Sequence, residues 1–180
     1  EEQTALVDGS GSGEIVGNVK MQRYLNPAFG YKYFSSPFTQ TRVGDFADYV
    51  DLTSSFPNFY SYNENRKDAS GNDATGWENF TAPTNELEIL RGYALNFGSG
   101  NEAKTVELSG EVNNGSFSIN LENNNGKYTQ GFHLVGNPYP SPIDWDSEAG
   151  WSKANIDDAV YFFKASATDP YTGTYSSYVN

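Results

Sequence analysis

Lys104-Thr105-Val106-Glu107-Leu108-Ser109-Gly110-Glu111-Val112-Asn113-Asn114-Gly115-Ser116-Phe117-Ser118-Ile119-Asn120-Leu121-Glu122 is the stretch that decides the fold class. Val106, Leu108 and Val112 alternate with Glu107, Ser109 and Glu111, and Phe117, Ile119 and Leu121 with Ser118, Asn120 and Glu122. A period of two sends successive side chains to opposite faces, which is the signature of a half-buried strand. Asn113-Asn114-Gly115 separates the two runs, and Asn-Gly suits a tight hairpin because both positions tolerate positive φ. The spacing therefore predicts an antiparallel hairpin of 104–112 with 116–122, turning at Asn114-Gly115, with Val106, Leu108, Phe117 and Ile119 toward the core.

The same alternation recurs on either side. Over 14–22, Ile15, Val19 and Met21 oppose Asn18, Lys20 and Gln22. Further strands are expected at 31–36, 93–97, 131–136 and 159–164. The last two carry apolar residues on both faces, which suits central strands. Only 45–52 and 151–159 have room for a short helix. Two polar stretches, 63–76 and 122–130, read as exposed loops, and the first is long enough to be functional or mobile. Many short strands with frequent turn signals predict an all-β, antiparallel β-sandwich or jelly roll, with long loops and at most one or two short helices. Gly9-Ser10-Gly11-Ser12-Gly13 reads as the end of a flexible leader over 1–13, leaving 14–180 as one sandwich domain.

Composition supports this class. The 180 residues include 13 Tyr, 12 Phe and 3 Trp but no Cys, 1 His and 1 Met. Tyr and Phe favour strands, and 18 Gly supply turns. Absence of cysteine removes disulfides, thiolate catalysis and Cys-ligated zinc. Eleven basic against 23 acidic residues give a net charge of −12. That field repels nucleic acid phosphates and anionic membrane surfaces, while neutral glycans, protein partners and divalent cations stay compatible. No apolar run approaches the ~20 residues that span a bilayer, so no membrane insertion is expected. Glu1-Glu2-Gln3-Thr4 lacks the basic and apolar regions of a signal peptide, so any export signal has either been removed or lies outside this sequence.

The chemistry concentrates in Gly136-Asn137-Pro138-Tyr139-Pro140-Ser141-Pro142-Ile143-Asp144-Trp145-Asp146-Ser147-Glu148-Ala149-Gly150-Trp151. Three prolines within five positions exclude helix and strand interior, so the segment is either a structural clasp or the rim of a site. It resembles the GNPYPS-x-IDWD signature of large secreted and surface proteins of Bacteroidetes exported by type IX secretion. Gly17-Asn18-Val19-Lys20-Met21-Gln22-Arg23-Tyr24-Leu25, Tyr31-Lys32-Tyr33-Phe34-Ser35-Ser36-Pro37-Phe38 and Arg91-Gly92-Tyr93-Ala94-Leu95 are similar to other segments of those proteins, as is the 155–163 region. The resemblance implies a secreted or cell-surface module without established catalytic residues. It also implies a further strand after the Tyr-rich segment; either the sandwich closes differently here, or a final strand is missing and an edge stands open.

Asp144, Asp146 and Glu148 alternate as D-x-D-x-E, and hard oxygen ligands of that kind suit calcium if the chain bends to make them converge. The competing reading makes Asp144 the head of an Asx-turn and Asp146 a cap. Trp77, Trp145 and Trp151, extended by Tyr139, Tyr171 and Tyr175, could form a platform on which sugar rings stack, or could fill an aromatic core. Asp157-Asp158 and Asp144/Asp146 offer paired carboxylates of the glycoside hydrolase kind, but neighbouring acids arise by chance in so acidic a chain. No nucleophile elbow, P-loop or dinucleotide fingerprint is present. The expectation is therefore a non-catalytic extracellular module that binds a neutral glycan or a protein partner, for adhesion or substrate targeting. The alternative is a structural spacer. A glycan binder exposes Trp or Tyr rings together on one concave face, whereas a spacer buries its tryptophans. Strand addition by another polypeptide is expected at the C-terminal edge, along the Tyr171, Tyr175 and Tyr178 run.

Overall fold

The computed structural model describes residues 15–179, and the leader expected over 1–13 lies outside them. The fold is all-β, and every strand pairing is antiparallel. The strands are β1 (Asn18–Leu25), β2 (Tyr31–Phe34), β3 (Phe59–Tyr62), β4 (Trp77–Asn79), β5 (Tyr93–Asn96), β6 (Lys104–Glu111), β7 (Ala159–Ala165) and β8 (Gly173–Val179). They form a β1-β6 pair, a four-stranded sheet in the order β2-β5-β3-β4, and a β7-β8 hairpin. Of the helices allowed for at 45–52 and 151–159, only a single 3-10 turn at Val43–Phe46 forms, overlapping the first.

One hydrophobic core is shared by the first two sheets, as in a sandwich. Leu25 of β1 and Val106 of β6 meet Phe34, Phe59, Tyr93 and Leu95 of the four-stranded sheet, with Val43 and Phe46 plugging the centre. The rings of Phe34 and Phe46 meet edge to face at 5.9 Å, and those of Phe46 and Phe59 at 5.5 Å. Such pairs add about 0.5–1.5 kcal/mol beyond the area they bury. Alternation in 18–25 and 104–111 is used as read: Val19 and Met21 turn inward, and Val106 is buried while Thr105 and Ser109 are exposed.

The hairpin expected from 104–122 does not form. Strand β6 pairs instead with β1, from Asn18↔Glu111 to Leu25↔Lys104. Gly115 does take positive φ, but Asn113 is buried and its amide donates to the carbonyls of Ser36 (3.2 Å) and Pro138 (2.8 Å). With Asn113 tied to two distant loops, the chain cannot fold straight back on β6. Residues 116–122 form no strand; Phe117 and Ile119 are half-buried, and Ser118, Asn120 and Leu121 are exposed. Alternation there reports a chain lying on a surface.

Two other strand expectations also change. Segment 131–136 contributes one bridge, Arg91↔Val135, because Gly136 fits against Ser35 where a Cβ would collide and the chain then turns away. Segment 159–164 is a strand but not a central one: β7 lies in a two-stranded hairpin, with Phe162 exposed. His133, expected within a strand, sits in a loop against the backbone of Glu122.

The proline-rich signature is a clasp. Ser35 Oγ donates to Asn137 O (2.9 Å), Asn137 Nδ2 to Ser141 O (2.6 Å), and Tyr139 OH to Gly115 O (2.7 Å). With the Asn113 bonds, these tie the loop after β6 and the loop after β2 to one buried proline, Pro138. Ser35-Ser36 and Gly136-Asn137-Pro138 are thus joined directly and through Asn113.

Phe46 is fully enclosed among aromatic rings. Phe46→Ala should lower unfolding stability by about 3–5 kcal/mol in urea or thermal melts. Phe162→Ala, on an exposed ring, should stay within about 0.5 kcal/mol of the parent.

Candidate aromatic binding cleft

The four-stranded sheet has two aromatic faces because its strands carry aromatics at both parities. Phe34, Phe59, Tyr93 and Leu95 face the core. Tyr33 opposes Ala94 across β2 and β5, Tyr60 opposes Ala94 across β3 and β5, and Tyr62 opposes Trp77 across β3 and β4. Residues opposed in an antiparallel pair share a face. Tyr31, Tyr33, Tyr60, Tyr62 and Trp77 thus pave the outer face, around the small Ala94.

The β7-β8 hairpin lies over this floor. The Tyr33 ring stacks on Phe163 at 4.8 Å with an interplanar angle of 18°, and the Tyr33 and Tyr175 hydroxyls are 2.6 Å apart. Phe163 and Tyr175 are cross-strand partners, with ring centroids 5.4 Å apart. Gly173 fits under Phe163 where any Cβ would collide. At the hairpin's turn, Asn96 Nδ2 donates to Pro170 O (3.4 Å), and Tyr171 meets Phe56 edge to face at 5.4 Å.

Between floor and hairpin is an open cleft of about 310 Å³, lined by Tyr31, Tyr33, Tyr60, Trp77, Ala94, Phe163, Tyr171 and Tyr175. No lining side chain carries a charge at neutral pH. Burial pushes the phenols of Tyr31, Tyr60 and Tyr62 above the usual tyrosine value, with the Glu64 carboxylate adding to the effect at Tyr62. Tyr33 is raised further, by burial and then by its bond to Tyr175. These phenols stay neutral across the physiological range. The cleft therefore offers apolar ring faces together with hydroxyls that both donate and accept.

Trp77, Tyr171 and Tyr175, singled out from the sequence, come together in this cleft. Tyr139, Trp145 and Trp151 do not. Tyr139 belongs to the clasp, its ring against Phe117 at 5.9 Å. Trp145 and Trp151 meet each other edge to face at 4.7 Å, and the Lys153 ammonium sits 4.5 Å and 5.2 Å from their ring centroids. Lys153 also donates to Trp145 O (3.1 Å) and pairs with Asp158. These two indoles form a local cluster around a cation. Tyr31, Tyr33, Tyr60, Ala94 and Phe163 complete the lining and were not expected there from the sequence. The signal was present in Tyr31/Tyr33 and Tyr60/Tyr62, tyrosines spaced by two in short runs whose other face is also aromatic.

The carboxylates considered for calcium are not gathered. Asp144 Oδ1 accepts from Asp146 N (3.1 Å) in an Asx-turn, Asp146 accepts from Tyr178 OH, and all three acids are exposed. Among the described residues no group of three or more His, Cys, Asp or Glu side chains is placed to hold a metal ion. Nor does any helix among them have the length and apolar character needed to cross a membrane.

The two polar loops fold around one buried carboxylate beside the cleft. Glu64 Oε1 accepts from Asn124 N (3.2 Å) and Gly131 N (3.3 Å), and Asn124 Nδ2 donates to Oε2 (3.2 Å). Thr129 is buried against Glu64, its hydroxyl donating to the Glu64 carbonyl (2.9 Å). Loop 63–76 closes on itself through Asn63 N to Gly76 O (2.8 Å) and the Lys67–Asp73 ion pair.

The whole chain, residues 1–180, matches a family described as a domain of unknown function (DUF8693), and the protein belongs to that family. No curated protein and no solved structure matches it.

Desolvation pushes the Glu64 carboxyl up, but the donors on Asn124, Gly131 and Thr129 outweigh it and hold the group below the usual glutamate value. A folded-state value below the unfolded one adds stability that is present above the unfolded pKa and lost as pH falls through the folded one. Amide exchange at Asn124 and Gly131 should accelerate as pH drops below about 4.5, after correction for intrinsic rates. Glu64→Gln should flatten that acid limb and lower stability at neutral pH.

Proposed function

We propose that this family member is a non-catalytic extracellular binding module whose cleft takes a neutral glycan. The observation that carries the reading is a concave surface of five tyrosines, one tryptophan and one phenylalanine with no charged side chain. Pyranose rings present C–H faces to aromatic π-surfaces and a rim of hydroxyls to phenols. The net charge of −12 disfavours sulfated and uronate sugars, which leaves neutral chains as the matching class. Rings gathered on one concave face are what a binder requires and a spacer does not. The lining offers neither a carboxylate pair nor an imidazole for general acid–base chemistry, which favours recognition over hydrolysis. A secreted or surface location, and a place in a Bacteroidetes type IX cargo protein, rest on the resemblance of 136–151 and its companion motifs.

The hairpin that walls the cleft also offers a polypeptide-binding edge. Among the described residues β8 pairs only with β7 and leaves its other side unpaired. An extended segment could add there through main-chain hydrogen bonds.

Calorimetric titration with a panel of neutral oligosaccharides tests the glycan reading. Trp77→Ala and Tyr33→Ala should each weaken the best ligand at least tenfold, about 1.4 kcal/mol. Trp151→Ala, outside the cleft, should leave the affinity unchanged. Absence of binding across the panel, or loss of binding on Trp151→Ala alone, would remove the cleft from the account.

A further inference from the structure

Aromatic faces carry the negative end of a quadrupole and attract cations held within about 6 Å of the ring centroid. The chain uses this attraction at three places outside the cleft. Arg23 lies 4.5 Å from the Phe34 centroid, Lys127 lies 4.9 Å from that of Tyr128, and Lys153 serves both Trp145 and Trp151. The cleft gathers five tyrosines, one tryptophan and one phenylalanine. Among the described residues, no Lys or Arg lies over any of those rings. The richest aromatic surface described is thus without the cation that the smaller clusters hold.

The shape and polarity of the cleft suit a rounded cation. Tyr33 is inclined to Trp77 by 47° and Tyr31 to Tyr60 by 58°, so the rings form walls at several inclinations. At about 310 Å³ the space stands at the small end of ligand pockets, which run from roughly 300 to 1,000 Å³. The Tyr33 and Tyr175 hydroxyls are bonded to each other at 2.6 Å, and a quaternary ammonium, having no N–H, leaves that bond undisturbed. Its methyl groups add apolar surface, whereas a lysine-type ammonium is compact and strongly hydrated. The electrostatic field has the matching sign. Glu64 is buried beside the cleft, and its carboxylate acts on Tyr62, whose ring meets Trp77 edge to face at 5.1 Å. The net charge of −12 attracts cations, and it disfavours a cation tethered to a phosphate.

We propose that the cleft binds a small soluble cation bearing a trimethylammonium group, with Tyr33 and Trp77 as the principal ring contacts and the Glu64 carboxylate as counter-charge. This second ligand class goes beyond the glycan reading and does not depend on it.

Calorimetric titration of the whole chain at constant ionic strength tests the proposal, with choline, phosphocholine and the uncharged isostere of choline in which carbon replaces nitrogen. Choline should bind at least tenfold tighter than the isostere and tighter than phosphocholine. Because this comparison uses the parent chain, it does not depend on any variant folding. Trp77→Ala should weaken choline at least tenfold, and Trp151→Ala should leave it unchanged. Glu64→Gln should reduce the preference for choline over the isostere. No heat with choline up to about 100 mM overturns the proposal, since such a Kd is too weak for a specific site. Equal affinity for choline and the isostere overturns it too, because the cleft would then read only apolar shape. Loss of choline binding on Trp151→Ala alone would move the site to the Lys153 cluster and likewise overturn it. Sugar binding without choline binding rejects the cation and leaves the glycan reading standing; choline binding without sugar binding does the reverse.

Discussion

Burial of β5 on both faces is the constraint from which the rest of the structure follows. Tyr93, Ala94, Leu95 and Asn96 are all almost completely enclosed. A strand buried on both sides needs cover on both sides. The core shared with β1 and β6 supplies one cover, and the hairpin supplies part of the other. Tyr33 is where the second cover is fastened. Its ring stacks on Phe163, its hydroxyl meets Tyr175, and its carbonyl accepts from Arg23 Nη1 of β1 at 3.0 Å. One tyrosine thus connects all three sheets.

The cover over β5 is incomplete, and its incompleteness is the cleft. A close-packed second layer would have placed aliphatic side chains against Ala94. Instead, planar rings stand off the floor and leave about 310 Å³ open. On the proposed glycan reading, aromatic walls would serve stability and recognition with the same atoms, since a stacking surface loses little conformational entropy when a ligand settles on it. The phenol hydroxyls can donate as well as accept. The acidic groups lie elsewhere. Glu64 is locked inside its loop clasp, and Asp144 and Asp146 are engaged in a turn and in a contact with Tyr178.

Strand existence was legible in the sequence wherever alternation coincided with a buried face, as in β1, β2, β5 and β6. Pairing was not legible, because it depends on contacts far apart along the chain. Asn113-Asn114-Gly115 carried the right turn chemistry, yet the Asn113 amide bonds to Ser36 O and Pro138 O, which neighbouring sequence does not reveal. Segment 159–164 looked central because apolar residues on both faces usually mean burial; here one face lines a cleft and the other is open. Half of the aromatic residues chosen from the sequence reached the site. Tryptophans attracted attention as individuals, whereas the site is built from tyrosines whose importance appears only when β2, β3 and β5 lie side by side.

The central claim is that these rings form one recognition surface. Ring resonances of ¹³C-labelled tyrosine and tryptophan, followed by NMR while a neutral oligosaccharide is added, test it most directly. The account predicts saturable shifts concentrated on Tyr31, Tyr33, Tyr60, Trp77, Tyr171 and Tyr175, with Trp145 and Trp151 unmoved. Saturable shifts centred on Trp145 and Trp151, or no saturable shift with any neutral sugar, would contradict it.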